Sequence, residues 1–220
     1  MSFRTENVRV RGRKNRSESS TRWLRRQLND PYVQLAQKEG YRSRSAYKLK
    51  QIDDKVGLLR KGMRVVDLGC APGGWLQVAA DKGCTVIGID LLPVEPLAGA
   101  ELIQGDFLDN AVYEQLRAMI DGKVDLVLSD LAAAATGQKL TDRLRAENIG
   151  EAVLAFAAET LKPGGDALIK TVRGADQPLV QQARDLFTTT RLIRPEATRK
   201  DSSEVFLLAH RLRRSEPNND

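Results

Sequence analysis

A regular alternation between short apolar runs and segments of helical character constrains the fold of this chain more than any other feature. The first apolar run begins at Met63, and the alternation continues to Phe187. Repeated strand–helix units predict a parallel sheet with helices on both faces, and strands buried on both faces read as nearly continuous apolar runs, as these do. The predicted strands are MRVVDLGC, CTVIGID, AELIQGD, VDLVLSD and DALIKTV. The predicted helices are GWLQVAADK, residues 109–121, DRLRAENIGEAVLAFAAETL and QPLVQQARDLF.

The pattern changes near the C-terminal end of the chain. TTRLIRPE and SEVFLLAHRLR read as two strands with no helix between them. We expect them to pair as an antiparallel hairpin at one edge of the sheet. The predicted fold is therefore α/β, with a mostly parallel seven-stranded sheet, a C-terminal antiparallel hairpin and helices on both faces.

Charge and composition divide the chain into four parts. They are a basic disordered arm at residues 1–20, a helical region at 21–60, the sheet domain at 61–213 and a tail at 214–220. Residues 1–50 contain 14 Lys+Arg and 4 Asp+Glu, whereas residues 51–220 carry a net charge of −4. Basic N-terminal segments bind nucleic acid through phosphate contacts. The charge therefore predicts a nucleic-acid partner, and a solvated tail that only aids solubility is the alternative.

Composition argues against several classes of protein. No segment approaches the roughly 18 consecutive apolar residues of a membrane helix, and the opening MSFRTENVRVRGRKNR lacks the apolar stretch of a secretory signal. Cys70 and Cys84 lie in apolar runs, which favours two buried free thiols over a disulfide or a metal pair. His210 is the single histidine, so a zinc site is not expected. These features predict a cytoplasmic protein without a metal ion.

The first predicted strand ends in a glycine-rich turn, DLGCAPGGW, from Asp67 to Trp75. In open parallel sheets ligands bind beyond the carboxyl ends of the strands, and a glycine turn lets a ligand approach the backbone. The glycines do not follow the G-x-G-x-x-G spacing of dinucleotide sites. A nucleoside cofactor without a pyrophosphate fits better, and S-adenosylmethionine is the common one. Asp67 is then placed to orient the ammonium group, and a turn that serves packing alone is the alternative.

Two further acids stand at predicted strand ends. Asp90 follows Asp67 by 23 residues, a spacing at which a carboxylate accepts hydrogen bonds from ribose hydroxyls. Asp106, in QGDF, is placed to meet the adenine amino group. Each acid alone reads as a helix cap or a turn residue, but three strand-end acids around one glycine turn favour a nucleoside site.

The fourth predicted strand ends in Asp130, and the fifth carries Lys170 near its end. We expect these strands to be neighbours, so that the two side chains face each other above the sheet. A lysine at the end of a core strand is costly unless it is paired, and Asp130 is the expected partner. A purely structural ion pair is the alternative to a catalytic one.

The motifs between about Arg42 and His210 resemble those of a known family. In order they are RSRSAYKL, VVDLGCAPGGW, IDLLPVEP, QGDF, LVLSD, ALIKTVRG and SEVFLLA. In order and spacing they are similar to the RlmE/FtsJ-type ribosomal RNA large-subunit methyltransferases, which have a Rossmann-like class I methyltransferase fold. The resemblance implies a catalytic tetrad of Lys48, Asp130, Lys170 and Glu204. It implies cofactor contacts at Gly73, Trp75, Asp90, Asp106 and Asp130.

The resemblance also implies an activity, which is methyl transfer from S-adenosylmethionine to the ribose 2′-hydroxyl of a uridine in 23S ribosomal RNA within the assembled 50S subunit. The sheet domain is then the methyltransferase domain, ribosomal RNA is the partner of the N-terminal region, and we expect a monomer. Two features depart from the family pattern near the expected target pocket. The loop DLAAAATG lacks the usual Pro and Asn, and Val172 stands where an aromatic residue is usual.

A ribose hydroxyl must lose its proton as it attacks a sulfonium methyl group in line. Lys170 either accepts that proton or stays charged and steers the hydroxyl, and the sequence leaves both open. Other functions remain as alternatives. A NAD-dependent oxidoreductase is disfavoured by the glycine spacing and the terminal hairpin. A small-molecule or protein methyltransferase does not need the basic N-terminal region. The last alternative is a non-catalytic or differently targeted RNA-binding protein on the same fold, for example one that 2′-O-methylates another RNA.

Overall fold

The computed structural model of the chain describes residues 24, 26–133 and 136–214. Its main helices are α1 (Pro31–Glu39), α2 (Ala46–Val56), α3 (Gly74–Asp81), α4 (Asn110–Ile120), α5 (Lys139–Thr160) and α6 (Asp176–Leu186). Its strands are β1 (Arg64–Leu68), β2 (Thr85–Asp90), β3 (Ala100–Gln104), β4 (Val124–Ser129), β5 (Leu161–Val172), β6 (Phe187–Ile193) and β7 (Glu204–Leu212).

The seven strands form one sheet in the order β3-β2-β1-β4-β5-β7-β6. The first five strands pair in parallel with one another, whereas β7 runs antiparallel to both β5 and β6. The α/β fold and the antiparallel pairing of the last two strands are therefore confirmed, with β7 inside the sheet and β6 at its edge. The strand order reverses between β1 and β4, so the crevice for a ligand lies at the carboxyl ends of these strands.

Alternate residues along each strand pack on opposite faces of the sheet. Val65 of β1 belongs to a buried cluster with residues of α2 and α3, whereas Val66 belongs to a second cluster with residues of α4, α5 and α6. Both side chains are almost completely buried. The sheet is thus covered on both faces, which explains why its strands read as apolar runs rather than as alternating ones.

The N-terminal helices carry a lysine to the end of the sheet. Asp30 caps α1 by accepting a hydrogen bond from a backbone amide of the first turn at 3.0 Å. Gly40 ends α1 with φ +80°, a backbone conformation that glycine adopts without strain. Leu49 and Ile52 of α2 are fully buried against the sheet. Docking of α2 through these residues brings Lys48 toward the beginning of β7.

The fifth strand begins earlier than the sequence predicts. The sequence predicts a helix that ends at Leu161 and a strand that starts at Asp166, with PGG between them, but β5 begins at Leu161, directly after α5. Leu161 pairs with Val124, and the register then shifts before Leu126 pairs with Asp166. Gly164, at φ +84°, lets the chain bulge at this point without leaving the sheet.

Some predictions fall on parts of the chain that the structure does not describe. The arm at residues 1–20 and the tail from residue 215 lie outside the described residues, and the division into arm, helical region, domain and tail stays a prediction. Within the described part of the chain, no helix combines the length and the apolar character needed to cross a bilayer. Cys70 and Cys84 are free and buried, which confirms that prediction.

Candidate active site

The turn that follows β1 is held between the ends of the two neighbouring strands. The backbone nitrogen of Gly69 donates to the carbonyl oxygen of Ile89 at 2.8 Å, and the nitrogen of Asp130 donates to the carbonyl oxygen of Leu68 at 3.0 Å. Gly69 has φ +81°, and a Cβ at this position would lie 2.8 Å from the backbone nitrogen of Leu131. Glycine is therefore required by both backbone conformation and space, and the turn stays close to the end of β4.

Asp90 is the last residue of β2, and Asp106 follows the neighbouring strand β3. Asp90 Oδ2 accepts a hydrogen bond from the backbone nitrogen of Ala71 at 2.9 Å, and its Oδ1 accepts one from Leu92 at 2.9 Å. Asp106 is exposed, and its Oδ1 accepts a hydrogen bond from the backbone nitrogen of Leu108 at 2.9 Å. Each carboxylate oxygen has two acceptor positions, so both side chains are oriented by the backbone and still have capacity for a ligand.

The Asp67 carboxylate is buried beneath the same turn. Its exposed fraction is 0%, and neither oxygen accepts a hydrogen bond from a described residue. Burial, together with repulsion from Asp130 and Asp90, raises the pKa of Asp67 well above its usual range. A buried carboxylate without a partner is costly. A cationic ligand group beside Asp67 would supply the missing partner and favour the ionised form.

Exposed apolar side chains lie next to these acids along the chain, and they were not predicted from the sequence as part of the site. Leu91 and Leu92 follow Asp90 and are each 64% exposed, and Leu108 follows Asp106 and is 60% exposed. Apolar side chains with this exposure around a cleft provide a surface for a flat apolar group. The signal that could have found them is an apolar residue within two positions after a strand-end acid, although Phe107, which fits the same signal, is buried.

Arg42 joins the glycine turn to the connection between β2 and β3. Its guanidinium donates to the carbonyl oxygens of Glu95 at 2.7 Å and Pro96 at 2.9 Å. Gly73 lies beneath it with φ +108°, and a Cβ on Gly73 would approach Arg42 Nη1 to 2.6 Å. Arg42 thus fixes the two loops that border the crevice, and Gly73 is needed for this close approach.

Trp75, which the resemblance places among the cofactor contacts, has its side chain in the core. It is 2% exposed, its Nε1 donates to the carbonyl oxygen of Ser45 at 2.9 Å, and its ring centroid lies 5.7 Å from that of Phe206. A cofactor contact at Trp75 is therefore restricted to the backbone. This residue lies in the first turn of α3, where amide groups lack partners within the helix.

Two lysine–carboxylate pairs lie at the ends of β5 and β7. Lys170 Nζ is 2.9 Å from Asp130 Oδ1 and also donates to the backbone carbonyl of Asp130. Lys48 Nζ is 2.7 Å from Glu204 Oε1. The four side chains are between 11% and 19% exposed. Both pairs are therefore shielded from water but reach the surface of the molecule.

Phe206 connects the two pairs. In the β5–β7 ladder Lys170 lies opposite Phe206, and Val172 lies opposite Glu204. Residues two positions apart on a strand share a face, so Lys170, Glu204 and Phe206 project to the same side of the sheet. Lys48 Nζ lies 5.8 Å from the Phe206 ring centroid. The structure thus brings together the four residues that the sequence resemblance groups as a tetrad.

Cavities flank the tetrad on two sides. One of about 540 Å³ lies beside Lys170, and another of about 350 Å³ lies beside Lys48. The smaller cavity is lined by four basic side chains and two acidic ones, so positive charge predominates in this basic cleft; they are Arg26, Arg44, Lys48 and Arg199, with Asp201 and Glu204. Over residues 24, 26–133 and 136–214, no group of three or more His, Cys, Asp or Glu side chains is placed to hold a metal ion.

Known proteins resemble this chain along most of its length. The sequence model of the FtsJ-like methyltransferase family matches residues 41–212. A protein of Parvibaculum lavamentivorans named Ribosomal RNA large subunit methyltransferase E is 48% identical over 216 residues, which cover 92% of this chain and 85% of that protein. A protein of the same name from Maricaulis maris is 50% identical over 203 residues, which cover 91% of this chain and 73% of that protein.

A solved structure resembles the fold as well. It is the crystal structure of a protein from Plasmodium falciparum that is described as a ribosomal RNA methyltransferase. The TM-score is 0.69 at 27% sequence identity, and the match covers 78% of this chain and 98% of that chain.

Proposed function

The chain belongs to the FtsJ-like methyltransferase family, and we propose that it transfers a methyl group from S-adenosylmethionine to the ribose 2′-hydroxyl of a uridine in large-subunit (23S) ribosomal RNA. The proposed substrate is the assembled large subunit. The observation that carries the proposal is the pair of lysine–carboxylate contacts at 2.9 and 2.7 Å beside the crevice of β1 and β4. Relatives about half identical to this chain are named for the large ribosomal subunit, which supports the choice of RNA.

The side chains at the carboxyl ends of β1, β2 and β3 fit S-adenosylmethionine. Asp67 pairs with the ammonium group, Asp90 accepts hydrogen bonds from the ribose hydroxyls, and Asp106 accepts one from the adenine amino group. Support for the first contact comes from the buried Asp67 carboxylate, which lacks a partner among the described residues. Gly73 and the backbone of Trp75 border the same space. When bound, the cofactor supplies a methyl group on a positively charged sulfur atom.

The adenine ring lies against exposed leucines in this proposal. Leu91, Leu92 and Leu108 stand on the same loops as Asp90 and Asp106 and are at least 60% exposed. A purine ring has an apolar face and a polar edge, so it needs apolar neighbours and one oriented acceptor. The loops beyond β2 and β3 provide both.

Lys170 acts on the proton of the attacking hydroxyl. An oxygen–methyl bond forms while the carbon–sulfur bond breaks, and the hydroxyl proton must leave. Lys170 Nζ donates a hydrogen bond to the backbone carbonyl of Asp130 and forms an ion pair with its carboxylate, and in this proposal another position on the tetrahedral nitrogen meets the 2′-hydroxyl. An uncharged Nζ accepts the proton there through its lone pair, and general-base catalysis of this kind contributes about 10²–10⁴-fold. A charged Nζ instead donates to the hydroxyl oxygen and aligns it, and the proton leaves to water.

Lys48 and Glu204 hold the other side of the ribose. Their contact of 2.7 Å fixes both head groups beside Phe206. Lys48 belongs to α2, whereas the remaining tetrad residues belong to the sheet or its loops. The position of α2 therefore determines whether the tetrad is complete, and this links the N-terminal region to catalysis.

The basic cleft beside Lys48 supports RNA as the substrate. Asp30 Oδ2 lies 2.9 Å from Arg44 Nε and 3.2 Å from Arg199 Nε, so one carboxylate orients two guanidinium groups and leaves an excess positive charge. Arg26 lines the same cleft and pairs with Asp201 at 3.3 Å, so the excess charge comes from Arg44 and Arg199. The basic residues 1–20 precede it along the chain, so we propose that RNA contacts extend from the cleft to this arm.

Transfer of labelled methyl groups tests the proposal. The chain is incubated with S-adenosylmethionine that carries a labelled methyl group and with purified large subunits that lack this methylation. We expect label in 23S RNA and loss of at least about 10²-fold in rate for Lys170→Ala. Lys162→Ala is the matched control, because Lys162 lies on β5 at the opposite end from Lys170 and pairs with Asp125. Absence of label in large-subunit RNA, or equal rates for the two variants, would contradict the proposal.

A further inference from the structure

The cavity of about 540 Å³ beside Lys170 has the size of a small-ligand site. It lies between the end of β5, the first turns of α5 and the loop after β4. One part of its wall consists of small or branched apolar side chains, namely Ala132, Ala133, Ala146 and Val172. Among the described residues that line it, none is aromatic. A flat ring entering this cavity would contact aliphatic surface and would not stack on an aromatic side chain.

A buried hydroxyl provides a second, independent indication of a ligand. Thr171 lines the cavity and is 3% exposed, and its Oγ1 has no hydrogen-bond partner among the described residues. Buried hydroxyl groups in folded proteins are normally hydrogen-bonded, because leaving one unpaired costs free energy. A ligand with a polar edge would complete the hydrogen bonding of Thr171.

Positive charge surrounds the mouth of the cavity. Lys139, Arg143 and Arg173 line it together with Lys170. Lys139 and Arg173 have no ion-pair partner in the described part of the chain, and Arg143 pairs with Glu147 through its Nε at 3.0 Å. Arg143 Nη1 lies 3.7 Å from the position that a Cβ on Gly174 would occupy. The guanidinium of Arg143 therefore reaches the turn that carries Arg173.

Among the described residues that line the cavity, the one acid is already engaged. Asp142 accepts hydrogen bonds from the backbone nitrogen and hydroxyl of Thr136, both at 2.7 Å, and from the nitrogen of Gly137 at 3.2 Å. These hydrogen bonds lower the pKa of Asp142. Its carboxylate therefore fixes the loop before α5, and the cations at the mouth stay available to an anion.

The geometry points to this cavity as the slot for the base of the acceptor nucleotide, with Arg143 and Arg173 binding the phosphate on its 3′ side. This inference rests on the proposed function and adds the mode of substrate recognition. In a ribonucleotide the base and the 3′-phosphate are attached to the carbons on either side of the one that carries the 2′-hydroxyl. When the 2′-hydroxyl is held at Lys170 Nζ, the base and the 3′-phosphate of the same nucleotide therefore lie close to that lysine. The aliphatic wall and Thr171 receive the base, and the guanidinium groups of Arg143 and Arg173 receive the phosphate.

A comparison of KM and kcat tests the phosphate contact. Arg173→Gln and the double variant with Arg143→Gln are assayed with large subunits over a series of salt concentrations. We expect the double variant to raise KM for the subunit about 10-fold or more, with kcat changed by less than about threefold and cofactor affinity unchanged. The slope of log affinity against log salt should fall by about 0.7 for each phosphate that the variant no longer neutralises. Arg60→Gln is the matched control, because Arg60 precedes β1 at the opposite end of the sheet and is exposed.

Two outcomes separate this inference from the proposed function. If the wild-type chain transfers the methyl group but the double variant has an unchanged KM and an unchanged salt slope, the assignment of the slot is overturned. Absence of methyl transfer by the wild-type chain would overturn the proposed function, and subunit affinity in the same salt series would then decide the phosphate contact by itself.

Thr171→Val tests the base contact, because valine keeps the shape and removes the hydroxyl. We expect it to reduce discrimination between uridine and other nucleotides at the target position, and unchanged discrimination would remove Thr171 from the slot.

Discussion

Asp67→Asn should change the way in which the free energy of unfolding depends on pH. Asp67 is fully buried, and neither carboxylate oxygen has a hydrogen-bond partner among the described residues. Burial is the main cause of its raised pKa, and repulsion from Asp130 and Asp90 adds to the effect. Asparagine has nearly the same shape but cannot ionise. The substitution therefore removes the titration of this group and largely preserves the packing around it.

The sign and the magnitude follow from proton linkage. In the unfolded chain Asp67 loses its proton near the ordinary pKa of about 3.9, whereas the folded chain holds the proton to a higher pH. Between these two pKa values the folded state binds one proton more than the unfolded state. Each pH unit then lowers the free energy of unfolding of the wild-type chain by about 1.4 kcal/mol. The difference between variant and wild type should grow at this rate above about pH 4, until Asp67 ionises in the folded state.

Urea unfolding of both proteins without cofactor, at intervals between about pH 4.5 and 8, measures this difference. The pH-independent cost of burying an amide shifts the variant's curve by a constant and does not affect the slope. Asp54→Asn is the control, because Asp54 is exposed on α2. Parallel curves for wild type and Asp67→Asn would refute the argument, and a difference that shrinks as pH rises would contradict its sign. In the same variant we expect S-adenosylmethionine affinity to fall by about 1.5–3 kcal/mol, the usual contribution of a hydrogen bond to a charged group.

Other predictions concern the remaining parts of the site. Asp90→Ala should weaken cofactor binding by about 1–3 kcal/mol because it leaves ribose hydroxyls unpaired, and unchanged affinity in calorimetry would remove Asp90 from the site. Lys170→Arg should abolish transfer if Lys170 accepts the proton, since arginine stays charged, whereas substantial activity would leave steering as its role. Deleting residues 1–20 removes six Lys and Arg and two Glu, and it should weaken RNA binding and its salt dependence at unchanged cofactor affinity. An identical salt slope with and without these residues would make the arm a passive tail.

The features that could be predicted from the sequence are those that depend on neighbours along the chain. The strands were predictable because buried parallel strands are continuous apolar runs, and their ends were marked by Asp67, Asp90, Asp130 and Lys170. The contact between Lys170 and Asp130 followed from the expectation that β4 and β5 are neighbours, which is confirmed. The start of β5 was predicted wrongly, because the proline and glycines that end helices elsewhere form a bulge within the sheet here.

Features that depend on distant residues were not predictable. Arg42 contacts the carbonyl oxygen of Glu95, which is 53 residues away, and a backbone carbonyl leaves no signal in the sequence. The side chain of Trp75 fills a space that Phe206 and the beginning of α2 define only after folding. The rim of the cavity beside Lys170 combines Arg143 of α5 with Arg173 of the turn after β5, 30 residues apart along the chain.

The position of the transferred methyl group tests the central claim most directly. Ribosomal RNA from large subunits treated with the chain and labelled S-adenosylmethionine is digested to nucleosides and analysed by mass spectrometry, and a second portion is treated with alkali. Alkaline cleavage of RNA requires a free 2′-hydroxyl, so methylation of this group protects the adjoining phosphodiester bond. The proposed geometry at Lys170 predicts labelled 2′-O-methyluridine within an alkali-resistant dinucleotide. Label on a base, on another nucleoside or in an alkali-sensitive position would contradict it.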